Sequence, residues 1–338
     1  MPDGPVTALV TGATSGLGMR LCQKLIQHGY AVRAIINPSH GSGGAVDGLP
    51  NDVSTYEADI TMPTNGDQSA LMEACDGATL VFHTAGATFN HKFTGAQFIN
   101  VNVRGTENLI KALLGTPNGA TAAVRFMYTS SVTVYGYRRP GETITEGSKT
   151  GPKSEYSKSK LMAEGVVKSY STKSSRFSYT ILRLGTMYGP GYERSFFKVF
   201  GMIRDGKMRY VGRPTNHLTL VHVDDVVDAQ IAAAESGNSS NKIYNITDGI
   251  PHTEQELFEM AARQIGVKPP EKSVNPVVAG ALGFITGVNK DELDFLASDR
   301  VVDSSLIGRE TGFTPKMRVD VEGAAMLKEF IVANKSIN

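Results

Sequence analysis

Cysteine is nearly missing from this chain: only Cys22 and Cys75 occur in 338 residues. Two cysteines cannot build a disulfide framework, and such usage suits a reducing compartment, so a cytoplasmic protein is expected. Excess charge is missing too. A formal net charge of +1 offers no electrostatic footing for nucleic acid or an anionic membrane surface. No apolar run reaches the ~20 residues of a transmembrane helix, and the most apolar late stretch, Val277 to Val288, is interrupted by Gly280, Gly283 and Gly287. The opening Met1-Pro2-Asp3-Gly4-Pro5 has neither the basic nor the apolar part of a signal peptide. Internal repeats and low-complexity segments are absent, and no metal site is read.

What is present is ordinary in bulk, with 41% hydrophobic and 20% charged residues. The length suffices for one large α/β unit or two modest domains with a real core. The informative stretch is Ala8-Leu9-Val10-Thr11-Gly12-Ala13-Thr14-Ser15-Gly16-Leu17-Gly18. Its apolar start suits a buried parallel strand. A helical pattern follows the glycines, with Leu17, Leu21, Cys22, Leu25 and Ile26 on one face and Gly29 as its stop. A second apolar strand, Ala31 to Ile36, completes a βαβ unit. That arrangement aims backbone N–H groups and a helix N-terminus at one point, a seat for a pyrophosphate.

The end of the second strand is where such folds read the adenosine ribose, with an acidic residue for a free 2′-OH or an arginine for a 2′-phosphate. Ile36 and Asn37 stand there, followed by Ser39 and His40. The choice between NAD and NADP stays open, and the lack of a carboxylate removes one objection to NADP. Further strands are expected around Thr55–Ala58, Ala78–Phe82, Val124–Thr129, Tyr179–Leu184, Leu218–Val221 and Lys242–Ile246. Asp59-Ile60 ends the first of these, where Asp59 either approaches the adenine or caps a helix. His83-Thr84-Ala85-Gly86 ends the next, its small residues allowing close approach of a ligand, with His83 read as structural. A helix from Phe98 to Leu114 carries Asn102 and Thr106 on one face.

Strands alternating with helices to about residue 247 imply a Rossmann-type doubly wound parallel sheet. The expected division is a dinucleotide-binding domain of 1–184 plus 217–249 and a smaller, mostly helical substrate region of 185–216 plus 250–338.

Tyr156 and Lys160 lie four apart, hence on one helical face. A free phenol has a pKa of about 10. An ammonium about 4 Å away is worth roughly 4 kcal/mol at an effective dielectric near 20, enough to bring the phenol down into the working range. Ser131 follows a parallel strand and so lies at its carboxyl edge, where it can hold a substrate oxygen against that phenol.

Taken in order, several segments resemble the extended short-chain dehydrogenase/reductase family, the NAD(P)-dependent epimerase/dehydratase group. They are Thr11-Gly12…Gly18, Asp59-Ile60, His83-Thr84-Ala85-Gly86, Asn102-Val103-Arg104-Gly105-Thr106, Ser130-Ser131…Val134-Tyr135-Gly136, Tyr156…Lys160, Leu182-Arg183, Tyr188-Gly189-Pro190 and His222-Val223-Asp224-Asp225. The resemblance implies Tyr156 as acid/base, Lys160 binding the nicotinamide ribose and tuning Tyr156, and Ser131 as the polarising hydroxyl. Cofactor contacts are expected from Gly12, Thr14, Ser15, Gly16, Leu17, Gly18, Asn37, Asp59, Ile60, Ala85, Gly86 and Asn102, and substrate contacts from Thr133, Thr186 and Met187.

Departures narrow the reaction. Ser15 stands where the group has glycine, and Thr186 where sugar-nucleotide epimerases commonly carry asparagine. Dehydratases carry an acidic pair where Val132 and Thr133 stand, which argues against dehydration. The Leu182–Gly191 segment is similar to the 3β-hydroxysteroid dehydrogenase and dihydroflavonol reductase-like branch. The resemblance thus implies hydride transfer between NAD(P) and a secondary alcohol or ketone, steroid-like or otherwise apolar. A sugar-nucleotide 4-epimerase holding NAD is the alternative, and a cofactor-binding redox sensor without turnover is a third reading. A small-molecule substrate and a homodimer through the helices bearing Asn102 and Tyr156 are the expected partners. His222 and Asp225 are read as braces between the two regions.

Overall fold

A computed structural model of the chain describes residues 6–38, 46, 48–62, 69–88, 93–136, 141–275 and 298–335. Ser39, His40, the glycine run after them and the apolar stretch 277–288 lie outside the described residues. The centre is a seven-stranded sheet in the order β12-β7-β5-β4-β1-β2-β3. Its strands are β1 (Thr7–Thr11), β2 (Ala31–Ile36), β3 (Val53–Glu57), β4 (Leu80–His83), β5 (Val124–Ser131), β7 (Phe177–Leu184) and β12 (Lys242–Ile246). Every pairing within it is parallel. Strand order reverses between β1 and β4, and the crevice beyond the carboxyl ends at such a point is where doubly wound sheets bind ligands.

The period of two along each strand sorts side chains between two cores. Ala8, Val10, Phe82, Met127, Leu182 and Leu184 face one side, packed with Leu17, Leu21 and Leu25 of α1 (Gly16–Gln27). Leu9, Val81, Phe126, Tyr128 and Ile181 face the other side, against Leu71 and Cys75 of α2 (Ser69–Cys75), with Leu109, Ile110, Ala163 and Val167. A third cluster sits apart, built from Tyr188, Phe200, Ile203, Tyr210, Leu220, Phe258, Leu327 and Phe330.

Two sequence expectations are corrected in detail. The helix read over Phe98–Leu114 is composite: α3 (Gly95–Phe98), a π-helical stretch Ile99–Arg104, then α4 (Gly105–Gly115). An inserted π turn is a common mark of a functional site, and this one carries Asn102. The strand read over Leu218–Val221 is two short ones, β10 (His217–Leu218) and β11 (Leu220–His222), outside the main sheet. The first pairs with β13 (His252–Thr253) and the second with β8 (Thr186–Tyr188). A single apolar run cannot reveal that its halves choose different partners.

Candidate active site

The glycine turn follows β1 and is shaped by close approaches. Gly12 has φ +70°, and a Cβ there would come within 2.7 Å of the Ala85 amide nitrogen. At Gly18 a Cβ would sit 2.2 Å from the Gly12 carbonyl oxygen, so only glycine lets α1 begin this close to the strand. Ser15, the departure from the family pattern, caps α1. Its Oγ accepts from the Gly18 N–H at 3.1 Å and donates to the Gly12 carbonyl at 2.8 Å. Thr14 lies within the turn, and the Tyr192 ring lies against Gly16, where a Cβ would meet a ring carbon at 3.1 Å. These residues fit a pyrophosphate: a glycine cradle that side chains would fill, with helix-end amides aimed across it.

Proton accounting fixes the neighbouring polar groups. Thr106 Oγ1 donates to the Asn102 carbonyl at 2.6 Å, so it accepts from His83 Nε2 at 2.8 Å. His83 Nδ1 is therefore bare and accepts from Thr11 Oγ1 at 2.7 Å. Burial, seconded by the Lys160 charge, pushes His83 down to about 3. It is a neutral strut between β1, β4 and α4, as its strand-end position suggested.

Asn102 is buried and ties the loop after β4 to α5 (Glu155–Lys173). Its Oδ1 accepts from the Ala87 N–H at 2.8 Å, while its Nδ2 donates to the Ala87 carbonyl at 3.1 Å and to Ser159 Oγ at 2.9 Å. A Cβ on Gly86 would lie 3.0 Å from Asn102 Oδ1 and 3.1 Å from Lys160 Nζ. Ala85, Gly86, Asn102 and Lys160 thus converge at the carboxyl end of β4. Asp59 Oδ1 accepts from the Thr61 N–H at 2.8 Å, a turn-closing bond, and Ile60 packs on Gly105. Asn37 follows β2 directly. Arg33, on the same strand, is committed to the Glu73, Ala74 and Asp76 carbonyls.

The serine, tyrosine and lysine come together as their spacing requires. Ser154 caps α5 by accepting from the Ser157 N–H at 3.1 Å, and that start puts Tyr156 and Lys160 one turn apart. Ser131 Oγ accepts from the Thr133 N–H at 3.2 Å and the Thr133 hydroxyl at 2.9 Å. With both acceptor sites filled, its own proton is left for the Tyr156 side, and Ser131 pulls the phenol's pKa down. Thr133 therefore supports Ser131. Thr186 and Met187 lie on β8, next to the third cluster's Tyr188.

The electrostatic expectation is corrected. Burial pushes the Tyr156 phenol up to about 12, with the Ser131 bond pulling the other way. Lys160 Nζ is turned to the Thr129 carbonyl at 2.8 Å and lies 5.2 Å from the Tyr128 ring centre. Its own pKa is pushed down to about 8 by burial, opposed by the Glu164 carboxylate. Spacing along a helix sets which residues are neighbours; desolvation, which spacing does not report, reverses the sign of the shift.

His222 and Asp225 hold elements together, as expected. Asp225 accepts from the Lys316 and Met317 N–H groups, both at 2.9 Å, and the His222 ring meets Tyr188 edge-on at 5.1 Å between centres. A cavity of about 200 Å³ lies elsewhere, lined by Leu218, Thr219, Thr247, Arg300 and Asp303 among others. Sequence reasoning missed Tyr192 and the Glu164–Arg183 pair (2.6 Å) beneath Lys160. The aromatic directly after Gly189-Pro190-Gly191 was the one available signal for the former.

A model of the NAD-dependent epimerase/dehydratase family matches residues 8–247. Short-chain dehydrogenase/reductase family 42E member 1 of Xenopus laevis is 29% identical over 287 residues, covering 78% of this chain and 69% of that protein. The 2-alkyl-3-oxoalkanoate reductase of Stenotrophomonas maltophilia is 28% identical over 287 residues, covering 82% and 81%. Among solved structures, a UDP-glucuronic acid 4-epimerase from Bacillus cereus in complex with NAD superposes with a TM-score of 0.74 at 20% identity, covering 97% of this chain and 99% of that one. Among the described residues, no helix is long and apolar enough to cross a membrane.

Proposed function

The chain belongs to the NAD-dependent epimerase/dehydratase family and is an enzyme of the extended short-chain dehydrogenase/reductase type, and from that premise we propose that it interconverts a secondary alcohol and a ketone carried on an apolar body. The observation that carries this reading is the convergence at the carboxyl end of β5 of the Ser131 hydroxyl, which lowers the pKa of the buried Tyr156 phenol, with Lys160 and the Gly86 backbone. The named activity of the Stenotrophomonas relative, reduction of an oxoalkanoate, is of the same kind. Residues 1–184 with 217–249 hold the cofactor in this reading, and 185–216 with 250–338 shape the substrate pocket.

A bound nicotinamide supplies or accepts the hydride. Gly12, Gly16, Leu17 and Gly18 seat the pyrophosphate. Asn37, Asp59 and Ile60 flank the adenosine end, and Ala85, Gly86, Asn102 and Lys160 the nicotinamide end. Ser131 donates to the substrate oxygen in place of Tyr156, and Tyr156 gives or takes the proton at that oxygen. The pKa of about 12 that burial imposes on the phenol makes it a proton donor at neutral pH. Oxidation requires positive charge beside the phenol, from Lys160 released by Thr129 and from an oxidised nicotinamide.

Tyr156→Phe tests this directly. Reduction of 2-alkyl-3-oxo acids and sterol ketones by NADH and NADPH, followed at the nicotinamide absorbance, should fall about 10²–10⁴-fold with cofactor affinity retained. Turnover unchanged in that variant sinks the assignment. Interconversion of UDP-sugars by protein carrying retained NAD would establish the epimerase instead.

A further inference from the structure

The Lys160 ammonium is buried, yet no carboxylate is set against it. Among the described residues its Nζ makes no ion pair, and its one hydrogen bond goes to the Thr129 carbonyl at 2.8 Å. Glu164 lies one turn further along α5, but its oxygens accept from Arg183 at 2.9 and 2.6 Å and from Ser130 Oγ at 2.7 Å. The guanidinium offsets that carboxylate, so only a remainder of its field reaches Lys160. The Gly86 backbone closes another side, where a Cβ would lie 3.1 Å from Nζ. One neutral carbonyl is poor compensation for a buried charge.

An aromatic face completes the surroundings. Nζ stands over the Tyr128 ring, 5.2 Å from its centre, inside the roughly 6 Å reach of a cation–π attraction. Tyr128 and Thr129 are consecutive on β5, so ring and carbonyl are placed by the same stretch of strand. The Tyr128 hydroxyl is buried and has no hydrogen-bond partner among the described residues. The residue therefore acts through its ring. His83 is paired with it across β4 and β5, with ring centres 5.8 Å apart, and both nitrogens of that neutral imidazole are engaged.

We propose that Tyr128 is a positioning residue for Lys160: the negative face of its ring holds the ammonium beside Gly86 and the Thr129 carbonyl and favours its charged form. Tyr128 acts through Lys160 alone, and its assignment rests on the role given to Lys160 above. The titratable groups around the ammonium are Tyr156 and Glu164 on its own helix, His83 on β4 and Tyr128 on β5. Tyr156 and His83 are neutral at pH 7, and Glu164 is matched by Arg183. The ring is thus the influence that can be weakened without adding or removing a charge. Because it favours the charged form, weakening it lowers the Lys160 pKa further from about 8, and the ammonium is then lost closer to neutral pH.

The test replaces Tyr128 by phenylalanine and then by phenylalanines with increasing ring fluorination, which keep the ring's shape while withdrawing electron density from its face. In the full chain with isotope-labelled lysine, the ε-carbon resonance missing from Lys160→Met reports the titration of Lys160 by NMR. Tyr128→Phe should hold the midpoint near that of the parent, and progressive fluorination should lower it by about one pH unit in all. The alkaline limb of kcat/KM for ketone reduction should move with it, a loss of about tenfold at pH values above both midpoints. A midpoint that stays fixed across the series overturns the proposal, as does a rate loss with the limb in place, which is what a packing defect would produce. A fixed midpoint with Lys160→Met inactive removes Tyr128 alone. If Lys160→Met turns over as fast as the parent, the role of Lys160 falls and the assignment of Tyr128 with it.

Discussion

Glu164 and Glu254 are both sealed from solvent, one beneath the sheet's candidate catalytic edge and the other in the helical region after the sheet, yet their surroundings are opposite. Glu164 Oε1 accepts from Ser130 Oγ at 2.7 Å and Arg183 Nε at 2.9 Å, and Oε2 accepts from Arg183 Nη2 at 2.6 Å. The guanidinium in turn stacks 4.7 Å from the Tyr135 ring centre. Glu254 opens α8 (Glu254–Ile265), and neither of its oxygens has a hydrogen-bond partner among the described residues. Burial alone pushes its carboxyl up to about 8. Where geometry must be exact to fractions of an ångström, the chain pairs its buried charge and braces the helix face of Tyr156 and Lys160. In the outer region it leaves a carboxyl uncompensated, and the stability of that region becomes dependent on pH.

The comparison breaks most sharply at Arg183. Arg183→Met removes the partner of a buried carboxylate and should cost about 3–5 kcal/mol in chemical denaturation. Stability lowered by under 1 kcal/mol would show that the pair is dispensable. Glu254 should behave in the reverse sense. Its folded pKa lies above its unfolded one, so the folded state keeps a proton that the unfolded chain sheds between about pH 4.5 and 8. Stability therefore falls as pH rises through that window. Glu254→Gln should remove this slope, stabilising the protein by about 2–4 kcal/mol at pH 8 relative to pH 5. Parallel denaturation curves for the variant and the original at both pH values would refute it. Asn102→Ala is the smallest expected effect, about 1–3 kcal/mol, because it orphans the Ala87 amide and carbonyl. Cofactor dissociation constants should rise with it, since the loop beside Gly86 loses its tether to α5; a loss of stability with affinity intact would make Asn102 purely structural.

Much of the sheet was legible because its signals are local. The runs Ala31–Ile36 and Lys242–Ile246 became strands at those bounds, since apolar β-branched segments between turn residues have few other uses. The turn from Gly12 to Gly18 was readable because only glycine tolerates those approaches. The Tyr156–Lys160 face followed from helical spacing. What escaped was set by partners far along the chain: the split of Leu218–Val221 between two ribbons, the π turn around Asn102, and the Tyr192 ring on Gly16.

From residue order alone come the nucleotide-binding crossover unit and the identity of the serine, tyrosine and lysine, because hydrophobic period, glycine sterics and helical pitch act over a few residues. Tertiary structure alone decided the upward shift of the Tyr156 phenol, the resting place of the Lys160 ammonium on Thr129 and the packing of Tyr192 on the glycine turn. Desolvation and long-range hydrogen bonds set those properties, and neither exists until distant segments are packed together.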